Sequence, residues 1–533
     1  MESQGLGKQS MLSKIRGTLW PVYGRENKKF IPMSLLMICI LFMYTLFRDM
    51  KDSLVQKLAV GGGTAMLSTL KIWFVLPISL IVMAVFMKLS NKFSSAKMFY
   101  GIITIYLVFY ALFGFVLFPN AESLHGSAEF VASLRERWPH FLYWIIPCIT
   151  NWSITIFYLS AELWAGLVIG FLFWQFANEI TKSTEAPRFY SMFGFLGNLG
   201  LIASGSLVEL LSKKSKTMFD PTDLHAIFGW SLKWQMGITV GVGLIMIAVY
   251  AWMQKEVVPD PELVLPGGGI KKKEKPKMGV RESIVYVATN PYVLLITCLV
   301  LGYGMAIVLN ESLVKTQFGI YKKTGTDYNE FMGGLSFKTG CLTMVLMLVG
   351  TNILKRSKWR TSALITPIVL GGSFLAVFGL LLYQQKVDNN ALIWGIPVLN
   401  AVCSVGEYQL ASNKGVKYSL FDSTKNMAYL PMDSETKLKS QAAVEVVGSR
   451  IGKAGGSAIV WFATSVLPFG TSPAAPGNTW IIGITCFVVL ALWVVSVLKI
   501  NPKVVEKLKE KAAEEKETQA ELNAQKASVG ASK

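Results

Sequence analysis

Histidine is nearly missing from this chain: His125, His140 and His225 are its only three, and all fall in or near loops. The six cysteines, Cys39, Cys148, Cys298, Cys341, Cys403 and Cys486, sit in or near apolar runs and form no CxxC pair. They read as small membrane-buried residues, not as a disulfide frame or metal site. No metal and no cofactor is expected. Signatures of catalysis are also missing. No GxxxxGK[ST] loop is present, which excludes ATP hydrolysis by that machinery, and there is no nucleophile elbow and no HExxH. The GGG runs at 61–63 and 267–269 lack the helix context of a phosphate cradle. Charge is scarce as well, at 16% of residues, where a soluble domain carries about 25%.

What fills the chain is apolar sequence: 52% hydrophobic residues, a mean hydropathy of +0.44 and repeated runs long enough to span a bilayer. The net charge of +19 could suggest nucleic acid. Most basic residues, however, lie in short loops between apolar runs, the pattern of the positive-inside bias. The expected partners are therefore the lipid bilayer and an anionic solute, with no nucleic acid. Residues 1–29 are read as a cytoplasmic basic tail, and no secretory signal peptide is expected.

Twelve spans are expected. The first half places them at about 31–50, 66–88, 96–118, 140–180, 189–211 and 229–253. The fourth is read as one long helix. A linker over 255–289, containing PDPELVLPGGGIKKKEKPK, separates the halves, which cover 30–254 and 290–500. The second half places spans at about 291–315, 328–352, 362–383, 391–421, 440–465 and 478–500. The tail from 501 to 533 is read as a solvated extension. Lysines and arginines after spans two and eight, in the linker and in the termini put both ends in the cytoplasm, whereas Lys213, Lys214 and Lys216 fall in a loop on the opposite side. Weak repeats support the division: KDSLV at 51–55 aligns with NESLV at 310–314, and KLSNKFSSA at 88–96 with KRSKWRTSA at 355–363. The fold expected is an all-α membrane protein of two pseudo-symmetric six-helix halves, the major facilitator arrangement, with its site between the halves near the midplane.

Charges inside such spans are costly and mark a site. Arg48 and Lys51, three apart on one helix face, suit a polyphosphate; the plainer reading is that they snorkel or pair with Asp49 or Asp52. Glu162 lies mid-span with no charge nearby in sequence, so it needs a partner from another helix. Glu311 and Lys315, four apart, are candidates that could equally form a local pair. Arg450 and Lys453 repeat the three-residue spacing among small residues, where close packing would explain the glycines but not the cations. Asn178 and Asn198 could bond a base or ribose; gluing helices together is the reading preferred for them, and Asn198 is kept as a site candidate.

Several long strings resemble one known family. YTLFRDMKDSLV, SAELWAGLVIGFLFWQFANEITKSTEAPRFYSMFG, FMGGLSFKTG and KYSLFDSTKNMAYLPMDSETKLKSQAAVEVVGSRIGKAGG are similar to stretches of the ATP/ADP translocases of obligate intracellular bacteria and plastids. The resemblance covers most of the region from about 30 to 500 and, without a long transit segment, points to the bacterial form. It implies a non-enzymatic antiporter of the bacterial inner membrane, taking in host ATP for ADP by alternating access, without hydrolysis and as a monomer. Whether phosphate travels too is left open. The family's transport-critical charges carry over to Lys51, Glu162, Glu311 and Lys453, each on a matching stretch. The alternatives are a proton-driven nucleotide importer, with Glu162 or Glu311 carrying the proton, a membrane enzyme and a scaffold. An enzyme should show a catalytic constellation, and a scaffold does not explain charges at equivalent depths in both halves.

Overall fold

An apolar run that crosses lipid must satisfy its backbone groups internally, and the computed structural model is accordingly a bundle of long helices. It describes residues 22–182, 185–264, 280–393, 395–429, 432 and 434–531. Most of the basic tail and of the Lys-rich linker, with its GGG run, lies outside the described residues. Ten described helices are long and apolar enough to cross a membrane. In chain order they are α1 (Gly24–Leu58), α2 (Thr64–Ser90), α3 (Ser95–Leu117), α4 (Trp152–Ile180), α5 (Arg188–Met218), α6 (Leu224–Glu256), α7 (Pro291–Tyr321), α8 (Gly325–Leu354), α9 (Trp359–Gln384) and α12 (Pro476–Glu506). Between α9 and α12 lie two more polar helices, α10 (Val398–Val416) and α11 (Gly452–Ser465). These stand where spans ten and eleven are expected, but α10 is too polar and α11, at 14 residues, too short to be among the ten.

Four expectations need correction. The fourth span is not one helix over 140–180: the chain breaks at Asn151, and short helices at His140–Leu142 and Ile145–Thr150 precede α4. Asn151 leaves the helix because its amide is bonded elsewhere. Its Nδ2 donates to the carbonyls of Val60 (3.0 Å) and Pro147 (2.9 Å), and its Oδ1 accepts the Val60 N–H (2.9 Å). The tenth span starts late, after a two-stranded hairpin, β1 (Leu392–Ile393) and β2 (Ile396–Pro397), turned by Gly395 at φ 79°. The last helix does not stop near 500; it runs on past Pro502 to Ala531. Lys213, Lys214 and Lys216 close the helix that carries α5 instead of lying in a loop, and Lys216 reaches Asp327 and Glu330 of α8, each at 2.5 Å.

Two buried apolar clusters form, one drawing on Val22 to Val264 and the other on Val287 to Val504. They meet along two seams. In one, α5 crosses α8 so closely that a Cβ on Gly205 would lie 2.5 Å from the Gly333 carbonyl oxygen and from the Phe337 nitrogen. In the other, Trp73 of α2 packs edge-on against Trp461 of α11, with centroids 5.3 Å apart. Backbone cannot yield as a side chain can, so Gly205→Val is expected to cost about 1–3 kcal/mol or more. The check is a lowered melting temperature of the purified protein.

The seams leave one end of the bundle shut. Where α1 ends, Gln56 Nε2 donates to Tyr328 Oη (2.5 Å), Lys57 Nζ donates to the Gly319 carbonyl (2.5 Å), and Ser53 Oγ donates to Asn329 (3.2 Å). Farther out, His140 Nδ1 donates to the Ser465 carbonyl (2.8 Å) and Trp144 Nε1 to that of Thr471 (3.2 Å). All five contacts join the first cluster's half to the second's, on the face opposite the chain termini.

Candidate functional site

Just inside that closed face, α1 carries a dense run of charge that its neighbours complete. Lys51 Nζ lies 2.9 Å from Asp52 Oδ1 and 2.9 Å from Glu162 Oε1 of α4. The other oxygen of Asp52, Oδ2, takes Lys315 Nζ of α7 at 2.9 Å, and Lys315 also holds Glu311 Oε2 at 3.2 Å. The result is one alternating chain, Glu162–Lys51–Asp52–Lys315–Glu311, that crosses from one half to the other. Alternation is what a low-dielectric setting demands, because each buried charge needs an opposite neighbour. The ammonium of Lys51 also sits 4.1 Å from the centroid of the Tyr158 ring. One turn earlier, Arg48 Nε meets Asp49 Oδ1 at 3.1 Å. Its Nη2 donates to Ser336 Oγ of α8 at 2.6 Å, and Ser336 donates on to Asp49 at 2.5 Å.

Exposure differs along the group. The Asp52 side chain is 1% exposed, whereas that of Glu162 is 28% exposed and Lys453 is exposed. Lys453 lies on α11, whose small residues let it press on α7: a Cβ on Gly304 would lie 3.2 Å from the Lys453 nitrogen, and one on Gly456 3.0 Å from the Met305 carbonyl oxygen. Packing thus accounts for these glycines. Arg450 lies on the turn just before, Glu445–Ile451.

Two lysines that the sequence reading passed over belong to this group. Lys71 of α2 acts electrostatically on Glu311 and Glu162, and Lys414 of α10 on Arg48, Glu311 and Asp49. Both are half-buried. Among the described residues, neither these two nor Lys453 forms an ion pair within 4.0 Å. The group therefore sets Lys51, Lys315, Arg48, Lys71, Lys414 and Lys453 against Glu162, Asp52, Glu311 and Asp49, an excess of two cations.

A common backbone feature marks many of these positions. Lys51 and Glu162 each lie three residues before a π-helical turn, at Leu54–Leu58 and Ala165–Phe173. Lys71 opens one at Lys71–Val75, and Lys414 precedes one at Lys417–Phe421 by three residues. Arg450 lies within Glu445–Ile451, and Lys453 follows it by two. Such turns carry the wider helical repeat that recurs at functional sites. Nothing in the residue pattern announces them.

Asn198 is not brought to the group. It is buried on α5, where Nδ2 donates to the Gly194 carbonyl at 2.9 Å and meets Met347 Sδ of α8 at 3.6 Å, so it serves helix packing. Asn178 likewise accepts a hydrogen bond from Tyr190 Oη. These contacts fit the helix-packing reading preferred for both asparagines.

Residues 7–504 match the model of a family described as TLC ATP/ADP transporter. A protein named ADP,ATP carrier protein 1 from Chlamydia pneumoniae is 37% identical over 497 residues, which cover 93% of this chain and 95% of that protein. The protein of the same name from Rickettsia prowazekii (strain Madrid E) is 36% identical over 497 residues, 92% of this chain and 96% of that one. Among solved structures, a POT family transporter in complex with a thioalcohol-conjugated peptide aligns with a TM-score of 0.53 at 12% identity, covering 90% of this chain and 96% of that one. A D-xylose–proton symporter aligns at 0.51 and 11%, covering 87% and 96%. At such identities the likeness concerns the fold alone, the two-half major facilitator arrangement.

Proposed function

The chain belongs to the TLC ATP/ADP transporter family, and from that premise we propose that it exchanges ATP for ADP across a membrane by alternating access, without hydrolysing either. The observation that carries this reading is the charge chain from Glu162 to Glu311, spanning both halves beside Lys71, Lys414 and Lys453, which form no ion pair among the described residues. Lys51 and Lys453, with Arg48 and Arg450, hold the phosphates by charge-assisted bonds. Glu162 and Glu311 balance the cations while the site is empty, and Lys315 links Glu311 to α1. Lys71 and Lys414 supply the remaining positive field. The halves, 30–254 and 290–500, rock about this fixed site as a monomer. With the termini and the 255–289 linker in the cytoplasm of a bacterium, host ATP enters through the inner membrane and ADP leaves.

The test is uptake of labelled ATP into proteoliposomes. Preloaded ADP should stimulate entry strongly. Entry that needs no internal nucleotide but does need a pH gradient would establish proton-driven import instead. Lys71→Gln and Lys414→Gln should each raise the KM for ATP about tenfold, the loss of one charge-assisted contact of about 1.5 kcal/mol. The maximal rate should change little, as expected for a contact made equally in the bound and transition states. Initial rates over a range of ATP concentrations check this.

A further inference from the structure

Asp52 is given no contact with the nucleotide in the scheme above, yet it is the most buried member of the chain, and each of its oxygens meets a lysine of a different half. Oδ1 takes Lys51 and Oδ2 takes Lys315, both at 2.9 Å. Immediately beyond lie the contacts that shut the far face, Ser53 to Asn329 and Lys57 to the Gly319 carbonyl. We propose that the Asp52–Lys315 bridge is the latch that makes exchange obligatory: it keeps the far face shut in the empty carrier, and it parts when a nucleotide phosphate takes the place of Asp52 on Lys315.

The inference rests on the exchange reading and follows from how charge divides when the halves separate. Opening the far face draws α1 from α7 and splits Asp52 from Lys315. The first half then holds Arg48, Lys51 and Lys71 against Asp49, Asp52 and Glu162, three of each sign. Of the six cations and four carboxylates grouped above, the second half holds Lys315, Lys414 and Lys453 against Glu311. A surplus of two cations in an apolar setting opposes the separation. A polyphosphate supplies the missing anionic oxygens on that side; a neutral solute does not. The empty carrier is thereby held, and the loaded one is free to turn over.

The test uses the full-length protein in liposomes and compares labelled ATP uptake into ADP-loaded and nucleotide-free vesicles. Wild type should show a large ratio. Asp52→Asn should lower that ratio about tenfold by raising uptake into nucleotide-free vesicles, within the range of ordinary coupling between sites. Asp52→Glu, which keeps the charge, should stay near wild type. The latch is overturned if Asp52→Asn, shown to be folded by an ADP-induced rise in melting temperature, keeps the wild-type ratio. It is equally overturned if Asp52→Glu collapses the ratio as far. A wild type with no ADP stimulation at all would defeat the exchange reading itself, which is a separate result. A second measurement leaves Asp52 intact: spin labels at the exposed Glu122 and Val466, on the two halves of the far face. ADP should populate a longer distance and adenosine should not; lengthening with adenosine contradicts the proposal.

Discussion

Lys51→Ala is expected to slow ATP entry into ADP-loaded vesicles by at least about a hundredfold. Two effects combine. A phosphate loses a charge-assisted contact worth about 1.5–3 kcal/mol, and each 1.4 kcal/mol is a factor of ten. The carboxylates of Asp52 and Glu162, both at 2.9 Å from the Lys51 ammonium, also lose their shared cation and turn the region against an anion. Lys453→Ala provides the contrast. Lys453 is exposed and pairs with no described carboxylate. Its loss should therefore depress transport while leaving the melting temperature of the purified protein near wild type, whereas Lys51→Ala should lower both. A Lys453→Ala protein that transports normally would remove it from the phosphate site.

Lys315→Met is expected to produce the largest loss of stability among these residues. Its ammonium serves two carboxylates, Asp52 at 2.9 Å and Glu311 at 3.2 Å, and is itself nearly buried. Taking away one partner of a buried pair costs about 3–5 kcal/mol, because the charge left behind is neither solvated nor neutralised. Adding Asp52→Asn to Lys315→Met removes one of those stranded charges. The double variant should accordingly melt higher than Lys315→Met alone, a non-additivity typical of residues in one network. Thermal unfolding of the four proteins in one detergent measures it, and strict additivity would mean that the bridge contributes nothing.

Much of this arrangement is legible in the sequence, for a definite reason. A charge inside an apolar run is conspicuous, and Lys51, Glu162, Glu311 and Lys315 were identifiable as such. The structure brings those four into one chain. Lys71 and Lys414 also lie inside expected spans, and the same signal, a lysine at membrane depth, would have found them; they were obscured because no repeat or motif singled them out. Asp52 shows a limit of another kind. Its neighbour Lys51 offers a local pair, and only three-dimensional placement reveals the second lysine, Lys315, 263 residues away. Asn198 shows how an amide in a span admits both a substrate and a packing reading; in the structure the Gly194 carbonyl and Met347 Sδ are its contacts. The break at Asn151 depends on tertiary hydrogen bonds to Val60, which leave no periodicity to read, and no residue pattern marks the π-helical turns beside the charges.

The central claim is that cations gathered between two halves hold a chain of phosphates. It is tested most directly by the affinities of ATP, ADP, AMP and adenosine for the purified wild-type protein, measured at low and high salt. Affinity should fall by about tenfold as each phosphate is removed, and salt should weaken ATP far more than adenosine. Adenosine binding as tightly as ATP, indifferent to salt, would contradict the account.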